Sequence, residues 1–237
     1  MRAVNVMLTG IIFMACLSGC GKKSVIEGVV ADGKGQPMAG VKVVAQQEQH
    51  TKQLEATSGV DGSFRIEKLQ ASSEYKLVPY LGAVMLSRPV VIETPPGGQT
   101  KKMPQPLSII FVPSKDGLLV NDTGTGLMWL RDAGKVGQMN WDAAMDKAKQ
   151  FNYAGFSDWR LPTKNELRSL AMYAGKTPAE NLNKEAFTNV QAGYYWSSDI
   201  NAANKIFAWA VNMADGKPVN DNKTGFKYSV WLVRSGK

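Results

Sequence analysis

The sequence has few of the side chains that most often carry covalent catalysis and bind metal ions. Its 237 residues include 2 cysteines and 1 histidine. Two cysteines exclude a disulfide-rich scaffold and a four-cysteine zinc site, and one histidine excludes a metal centre with several histidine ligands. Hydrophobic residues make up 44% and charged residues 20%, which are ordinary values for globular proteins. We therefore expect a folded chain of one large domain or two small ones.

The first twenty residues have the pattern of an export signal. Arg2 supplies a positive charge before a mostly apolar stretch at residues 6–17, which is too short for a helix that spans a membrane. The stretch ends in Leu17-Ser18-Gly19-Cys20, and this sequence resembles the lipobox of bacterial lipoproteins. The alternative is an ordinary signal peptide that happens to contain a cysteine.

The lipobox resemblance implies that residues 1–19 are a cleaved signal peptide and that residues 20–23 are a lipidated anchor. Cleavage before Cys20 would leave its thiol and its amino group to carry acyl chains, and several chains together hold a protein stably at a membrane. Gly21 stands where lipoproteins retained in the inner membrane usually carry Asp. We therefore expect lipid anchoring in the outer membrane, with either side of that membrane open for the body of the chain.

Residues 24–113 alternate between short strand-forming segments and turns. Segments rich in β-branched and aromatic residues predict strands at residues 25–30, 40–44, 63–69, 75–77, 89–92 and 107–112. Turn signals such as Asp61-Gly62 separate them, so the pattern predicts an all-β sandwich. His50 lies in a polar stretch between two of these strands. Without a second histidine we expect an exposed loop or hairpin residue there, with no metal-binding or catalytic role.

The glycines and aliphatic residues of this region resemble a known family. Gly28-x-Val30, Gly40-Val41-x-Val43 and Asp61-Gly62-x-Phe64 are similar to the pattern of the carboxypeptidase regulatory-like domain. This resemblance implies a transthyretin-like or immunoglobulin-like sandwich. Because the family has no shared catalytic residues, the resemblance implies a spacer or a binding module.

Residues 114–237 combine helix signals with aromatic strands. Asn140 precedes an amphipathic pattern that predicts a helix to about residue 151, and a capping box at Thr163 and Glu166 marks the start of a second helix. Beyond Pro178 the pattern changes to aromatic strands at residues 194–198, 207–211 and 228–234. Two helices followed by several strands predict an α+β domain.

The second domain resembles the C-terminal domain of the Legionella collagen-like protein, the Lcl C-terminal domain. The matching residues are Asp122-x-x-Thr125-Gly126-Leu127-Met128-Trp129, Trp141-x-x-Ala144, Gly155-Phe156-Ser157-Asp158-Trp159-Arg160-Leu161-Pro162-Thr163, Tyr195-Trp196-Ser197-Ser198, Trp209-x-Val211 and Val230-x-x-Val233-Arg234. The resemblance implies a C-type-lectin-like fold. It also implies an adhesin module, because the founding member binds sulfated polysaccharides and forms trimers.

The residues of the second domain argue against an enzyme. It contains no cysteine and no histidine, which excludes Ser-His-Asp and Cys-His nucleophile systems and a zinc site with the usual ligands. Ser197, Ser198 and Asp199 follow a tryptophan, as in the calcium-binding strand of true C-type lectins. The further calcium-ligand motifs of those lectins are missing, so we expect no metal and no cofactor.

Several residues of the matching motifs are candidates for ligand contact. They are Asp158, Trp159, Arg160, Trp196, Ser197, Ser198 and Arg234. The alternative for Asp158 and Arg160 is structural, because an arginine fork suits carboxylates and backbone carbonyls and could hold a loop against the helix cap. At least four of the six tryptophans are expected in the core, which leaves one or two for an aromatic sugar platform.

The charge pattern does not identify a partner by itself. The chain has 28 Lys+Arg and 20 Asp+Glu residues, and no basic run exceeds two adjacent residues. A solvated surface and an anion-binding face are the two alternatives. Export removes the chain from nucleic acid. We therefore predict an outer-membrane lipoprotein that acts as a non-catalytic binding or adhesion module, with an anionic polysaccharide as candidate ligand and a homotrimer as candidate assembly. The alternative is a structural envelope lipoprotein that binds a protein partner.

Overall fold

The computed structural model describes residues 21–47, 50–87, 89–174 and 176–236. The predicted signal peptide and the predicted lipidation site Cys20 lie outside these residues. The described chain is mostly β-sheet, with four sheets and three helices. None of the helices in these ranges has the length and apolar character needed to cross a membrane.

The first half of the described chain consists of nine strands. They are β1 (Ser24–Asp32), β2 (Lys42–Gln47), β3 (His50–Thr57), β4 (Ser63–Leu69), β5 (Glu74–Leu81), β6 (Val84–Met85), β7 (Val90–Glu93), β8 (Thr100–Lys102) and β9 (Leu107–Ile109). One sheet has the order β4-β1-β8, with β9 also paired to β1. The other sheet has the order β3-β2-β5-β6, with β7 also paired to β5. Inward side chains of both sheets form one hydrophobic core.

Strand β4 shows how the sequence pattern becomes packing. Phe64, Ile66 and Leu69 are all buried, and the interval between the last two is one residue longer than strict alternation allows. The pairing with β1 shifts at this point, and Lys68 has a φ of 62°, so the extra residue forms a bulge. The bulge returns Leu69 to the core side of the sheet.

Two segments of the first half differ from the sequence prediction. His50 begins β3, which was not predicted, and it pairs with Gln47 of β2 across a hairpin. The hairpin alternative for His50 therefore describes its backbone, and the loop alternative is wrong. Residues 94–106 were predicted as a loop, but Thr100–Lys102 forms β8 beside β1. The two lysines Lys101 and Lys102 carry little strand signal, and pairing with β1 provides the stability of this strand.

The second half contains the helices and nine further strands. The elements are β10 (Phe111–Pro113), β11 (Leu119–Asp122), β12 (Leu127–Leu130), β13 (Gln138–Met139), α1 (Trp141–Lys149), α2 (Lys164–Ala174), α3 (Pro178–Lys184), β14 (Tyr194–Ile200), β15 (Phe207–Asn212), β16 (Pro218–Asn222), β17 (Tyr228–Ser229) and β18 (Val233–Ser235). The strands form two sheets, of orders β10-β11-β12-β18 and β13-β17-β14-β15-β16. A second hydrophobic core joins these sheets and the helices.

Both predicted helices are present with their predicted starts. Asn140 accepts a hydrogen bond of 2.9 Å from the backbone N–H of Ala143 and so caps α1. Thr163 and Glu166 form the predicted capping box of α2, because each side chain accepts a hydrogen bond from the other residue's backbone N–H. The local hydrogen-bond chemistry of the first turn was therefore sufficient to place these elements.

Helix α3 and the end of the chain correct the prediction. Pro178 begins α3, although aromatic strands were predicted directly beyond this residue. Seven residues make only about two turns, which is too short for a helical period to be recognised in a sequence. The predicted strand at residues 228–234 is split into β17 and β18, which belong to different sheets. Between them, residues 230–232 are fully buried and cross the core without alternation.

Only one residue, Ile110, separates the last strand of the first half from the first strand of the second half. Ile109 ends β9 and belongs to the first core, whereas Phe111 begins β10 and belongs to the second core. The strand pairing thus changes at Ile110, although one continuous strand at residues 107–112 was predicted. Thr123 of the second half is hydrogen-bonded to the first half. Its hydroxyl donates to the Ile109 carbonyl at 2.8 Å and accepts from the Gly33 N–H at 2.8 Å.

Candidate functional site

Asp158 of the predicted motif forms an ion pair with Arg234 of β18. The Arg234 Nε–Asp158 Oδ1 distance is 2.7 Å and the Nη2–Oδ2 distance is 3.0 Å. The Arg234 side chain is only 7% exposed, whereas that of Asp158 is 56% exposed. The guanidinium also lies 3.8 Å from the centroid of the Phe156 ring. The arginine is therefore held between a carboxylate and an aromatic face, which are the two environments that suit its planar charge.

Arg160 pairs instead with Glu166 at the start of α2. Its Nη1–Oε2 and Nη2–Oε1 distances are 2.8 Å and 2.7 Å, and Nη1 also donates to the Leu161 carbonyl at 3.2 Å. Partial burial raises the pKa of Glu166, but hydrogen bonds from the Arg160 guanidinium and the Thr163 N–H outweigh this effect and lower the pKa overall. Glu166 is thus held as a carboxylate that serves both the ion pair and the helix cap.

A short backbone bridge connects the two ion pairs. The Arg160 N–H donates to the Val233 carbonyl at 2.9 Å, and the Val233 N–H donates to the Arg160 carbonyl at 3.0 Å. Because Arg234 follows Val233, the bridge brings the backbones of the two arginines close together. The arrangement ties the motif loop, helix α2 and strand β18 together. Asp158 therefore joins Arg234 and does not join a cluster with Arg160 and Glu166; a role for these residues in ligand contact stays a prediction.

The other candidate residues are engaged inside the protein. Trp159 and Trp196 are buried, and their indole N–H groups donate to the carbonyls of Phe156 at 3.1 Å and Met139 at 3.0 Å. The Ser197 hydroxyl donates to the Trp209 carbonyl at 2.9 Å. The Ser198 N–H donates to the Pro162 carbonyl at 2.8 Å. The contacts of Trp196, Ser197 and Ser198 fix β14 against its neighbours, and the two indole N–H groups and the Ser197 hydroxyl are bonded within the protein.

Trp209 is the half-buried tryptophan of the described chain. The other five are buried, in agreement with the expectation that most are core residues. The Lys164 ammonium lies 3.9 Å from the centroid of the Trp209 ring. The Asp199 carboxylate accepts a short hydrogen bond from the Lys164 backbone N–H and so caps the first turn of α2. Within the described ranges, no group of three or more His, Cys, Asp or Glu side chains is placed to hold a metal ion.

The exposed aromatic surface consists of residues that the sequence analysis did not select. Phe226, Tyr228 and Tyr194, which we call the aromatic row, lie side by side where β17 and β14 begin. The ring centroids of Phe226 and Tyr228 are 5.7 Å apart, and those of Tyr228 and Tyr194 are 4.9 Å apart, with interplanar angles of 35° and 30°. Phe226 is 44% exposed and Tyr194 is 36% exposed.

Tyr228, the central ring of the row, is anchored at both ends. Its ring lies 4.6 Å, centroid to centroid, from that of the buried Trp196. Its hydroxyl donates to Oδ2 of Asp221 at 2.7 Å. Partial burial, together with the hydrogen bond to the Asp221 carboxylate, raises the pKa of Tyr228.

The turn before Phe226 is also held in place. The Asn222 side-chain oxygen accepts hydrogen bonds from the Thr224 N–H at 3.0 Å, the Thr224 hydroxyl at 2.9 Å and the Gly225 N–H at 3.2 Å. Such a turn presents the following residue in a fixed position. The sequence signal for the row was an aromatic residue at a strand end beside a turn, which does not distinguish an exposed ring from a core ring.

A cleft of about 800 Å³ lies in the first half, far along the chain from these residues. Apolar side chains such as Phe64 and Met103 line it, with Glu27 and Arg65 among its charged residues. A Cβ at Gly28 would lie 2.7 Å from the Phe64 ring, so glycine allows the ring to approach β1 closely. The volume suits a small ligand, but nothing in the structure indicates which molecule occupies it.

Comparison with protein families identifies both halves of the chain. Residues 118–234 match the Lcl C-terminal domain, and residues 25–91 match the carboxypeptidase regulatory-like domain. Both resemblances predicted from the sequence are thus confirmed. The chain therefore combines a carboxypeptidase regulatory-like domain with a Lcl C-terminal domain. A comparison with curated proteins gives no match.

Several solved structures are similar to the chain at low sequence identity. The Yersinia pseudotuberculosis adhesin InvE has 11% identity and a TM-score of 0.35, with coverage of 90% of this chain and 60% of that chain. A DUF3823 family protein from Bacteroides ovatus has 17% identity and a TM-score of 0.30, with coverage of 45% and 61%. The Bacillus anthracis TIE protein has 14% identity and a TM-score of 0.30, with coverage of 38% and 17%. The chain spans less than two thirds of each of these proteins, and at these TM-scores the similarities carry no argument.

Proposed function

We propose that this protein is a non-catalytic binding and adhesion module of the bacterial outer membrane. The observation that carries the proposal is the match of residues 118–234 to the Lcl C-terminal domain, whose founding member is an adhesin module. The geometry supports it, because the arginines and carboxylates of the motif are paired with one another and the buried tryptophans bond to backbone carbonyls. Ligand contact then falls to the outer surface of the domain.

The finer architecture belongs to the same proposal. We assign residues 24–113 to a transthyretin-like or immunoglobulin-like sandwich that serves as a stalk, and residues 114–237 to a C-type-lectin-like domain. In support, β12 near the start of the second domain pairs with β18 at its end, with Leu127 opposite Ser235. Chain ends that meet in one sheet are what the lectin-like assignment requires.

An anionic polysaccharide is the proposed ligand, and a homotrimer is the proposed assembly. The basic balance of the chain, 28 Lys+Arg against 20 Asp+Glu, supports an anionic ligand. The test is chromatography of residues 21–237 on immobilised heparin, with an underivatised resin as control. We expect elution above about 0.15 M salt, the physiological ionic strength. Elution at or below that salt concentration would contradict the anionic ligand.

We propose a lipid anchor at Cys20 because the sequence that ends at this residue resembles a lipobox. We expect the Cys20→Ala chain to leave the membrane fraction, because the acyl chains provide the membrane affinity. Fractionation of cells that express each form would measure this. Retention of the variant in the outer-membrane fraction would show that another feature holds the protein there.

A second candidate function is a structural envelope lipoprotein that binds a protein partner. The observation that favours it is strand β7, where Val90 and Val91 are 38% and 55% exposed. These two side chains point to opposite faces of β7, which pairs with β5 alone among the described strands, and an apolar edge strand is a place where another chain can add a strand. Crosslinking in intact envelopes distinguishes the candidates, since a specific protein captured through β7 would support the second and not the first.

A further inference from the structure

We propose that the aromatic row, Phe226, Tyr228 and Tyr194, is a saccharide-stacking site that receives the apolar face of a pyranose ring. This inference rests on the proposed function as a glycan-binding module, and it adds the contact that selects a sugar over other anionic molecules. Aromatic rings with a polar tip suit such a ligand, because a pyranose also combines an apolar face with polar edges.

The row is too small to be half of a stable protein interface. A fully buried aromatic side chain contributes roughly 150–250 Å², so exposures of 36% for Tyr194 and 44% for Phe226 correspond to roughly 120–200 Å² in total. A stable complex between proteins buries about 800 Å² on each partner. A surface of this size matches one or two sugar rings much better than a second protein chain.

The row is held in position before any ligand arrives. Tyr228 rests against Trp196 and is fixed by its hydrogen bond to Asp221, and the turn that precedes Phe226 is fixed by the Asn222 side chain. Tyr194 stacks on Tyr228 from the other side. Because little side-chain freedom remains to be lost, a rigid surface binds more tightly than a mobile one of the same chemistry.

Polar and basic groups accompany the rings. The Asp221 carboxylate lies at the Tyr228 hydroxyl and can accept hydrogen bonds from sugar hydroxyl groups. Lys227, between Phe226 and Tyr228 in the chain, is exposed and contributes positive charge beside the row. A site with apolar faces and hydrogen-bonding groups together fits a saccharide better than a purely apolar molecule.

Stacking and charge attraction respond differently to salt, and this difference provides the test. Salt screens attraction between exposed charges but leaves the burial of apolar faces largely intact. We compare binding of residues 21–237 to three immobilised probes at low salt and at about 0.5 M salt. Heparin carries sugar rings and charge, dextran carries sugar rings without charge, and polyphosphate carries charge without sugar rings.

The decisive variant is the double substitution Tyr194→Ala, Phe226→Ala. We expect saccharide affinity at the higher salt to fall about tenfold, which is typical for the truncation of central aromatic contacts. Polyphosphate binding should not change. Tyr194→Phe keeps the ring and should bind saccharide normally, and Met172→Ala, which removes a side chain that is 73% exposed on α2, is the matched surface control.

The outcomes separate this inference from the proposed function. Heparin binding at the higher salt that is equal in the double variant and the unsubstituted chain would overturn the stacking site and leave the proposed function standing. Dextran binding that the double variant loses, without heparin binding, would overturn the anionic ligand and support the row. An equal loss of polyphosphate binding, or a change in oligomeric state on sedimentation, would also overturn the stacking site.

Discussion

The ion pairs of the motif loop and the aromatic row lie in the same half of the chain, yet they differ in how much of their side chains solvent can reach. The Arg234 side chain is 7% exposed and donates hydrogen bonds to Asp158. Phe226 is 44% exposed and follows a turn that the Asn222 side chain holds in place. The polar groups of the motif loop bond to one another, whereas the aromatic row presents exposed rings that the family motif does not include. Ligand contact by either group is a prediction, and the two groups can be compared by substitution.

The largest effect on stability is expected from Asp158→Ala. This change leaves the buried Arg234 guanidinium without its carboxylate, and loss of one partner of a buried pair typically costs several kcal/mol. Because Asp158 itself is 56% exposed, we expect a loss of about 3 kcal/mol in the free energy of unfolding, at the lower end of that range. Urea denaturation followed by circular dichroism would measure it.

The matched control for Asp158 is Asp146 in α1. Its ion pair with Lys149 has both side chains 70% exposed, and such surface pairs contribute at most about 1 kcal/mol. We expect Asp146→Ala to change the free energy of unfolding by less than about 0.5 kcal/mol. Equal losses in the two variants would show that burial of Arg234 does not set the cost.

A smaller effect is expected from Glu166→Gln. The change weakens the Arg160 pair and the capping box together, so we expect a loss of about 1–2 kcal/mol at neutral pH. The pKa of Glu166 is lowered in the folded state, so its carboxylate contributes stability above the ordinary value of about 4.3 and loses it as the pH falls through the folded pKa.

The pH dependence of the Glu166→Gln effect shows whether the charge of Glu166 or only the shape of its side chain stabilises the fold. The difference in unfolding free energy between Glu166→Gln and the unsubstituted chain should shrink as the pH falls well below about 4. Glu180→Gln, which changes an exposed pair with Lys184 on α3, is the control and should show little difference at any pH. A Glu166 difference that stayed constant with pH would contradict a charged role.

Apart from the surface controls, the smallest effect on stability is expected from Phe226→Ala in the aromatic row. Its ring is partly exposed and packs on Tyr228 alone among the described aromatic rings, so the loss should be about 1 kcal/mol or less. Thermal unfolding would measure it beside Asp158→Ala. A loss as large as that of Asp158→Ala would place Phe226 among the residues that hold the fold and would remove the contrast between the two groups.

Local chemistry explains which parts of the fold the sequence could predict. The starts of α1 and α2 depend on Asn140, Thr163 and Glu166, which act within three residues of their partners. Alternation and turns predicted most strands of the first half. Helix α3 was missed because it is short, and β3 was missed because its residues are largely polar, as in His50-Thr51-Lys52-Gln53.

Contacts between distant residues explain what the sequence could not predict. Asp158 and Arg234 are separated by 76 positions, and the backbone bridge between Arg160 and Val233 brings Arg234 to the motif loop. The aromatic row unites Tyr194 of β14, Tyr228 of β17 and Phe226 of the preceding turn. No local sequence pattern predicts the contacts among these three rings, because the contacts depend on the order of strands in the sheet.

The junction at Ile110 has a mechanical consequence. In the proposed function, a pulling force would act between the proposed lipid anchor before β1 and the second half of the chain after β9. Strands β1 and β9 are parallel, so tension at the start of β1 and the end of β9 would load their hydrogen bonds together, along the strands. Bonds loaded in this way must break at once, whereas a hairpin pulled from one end opens bond by bond. The parallel pairing of β1 with β9 would therefore place the load on the proposed stalk in shear.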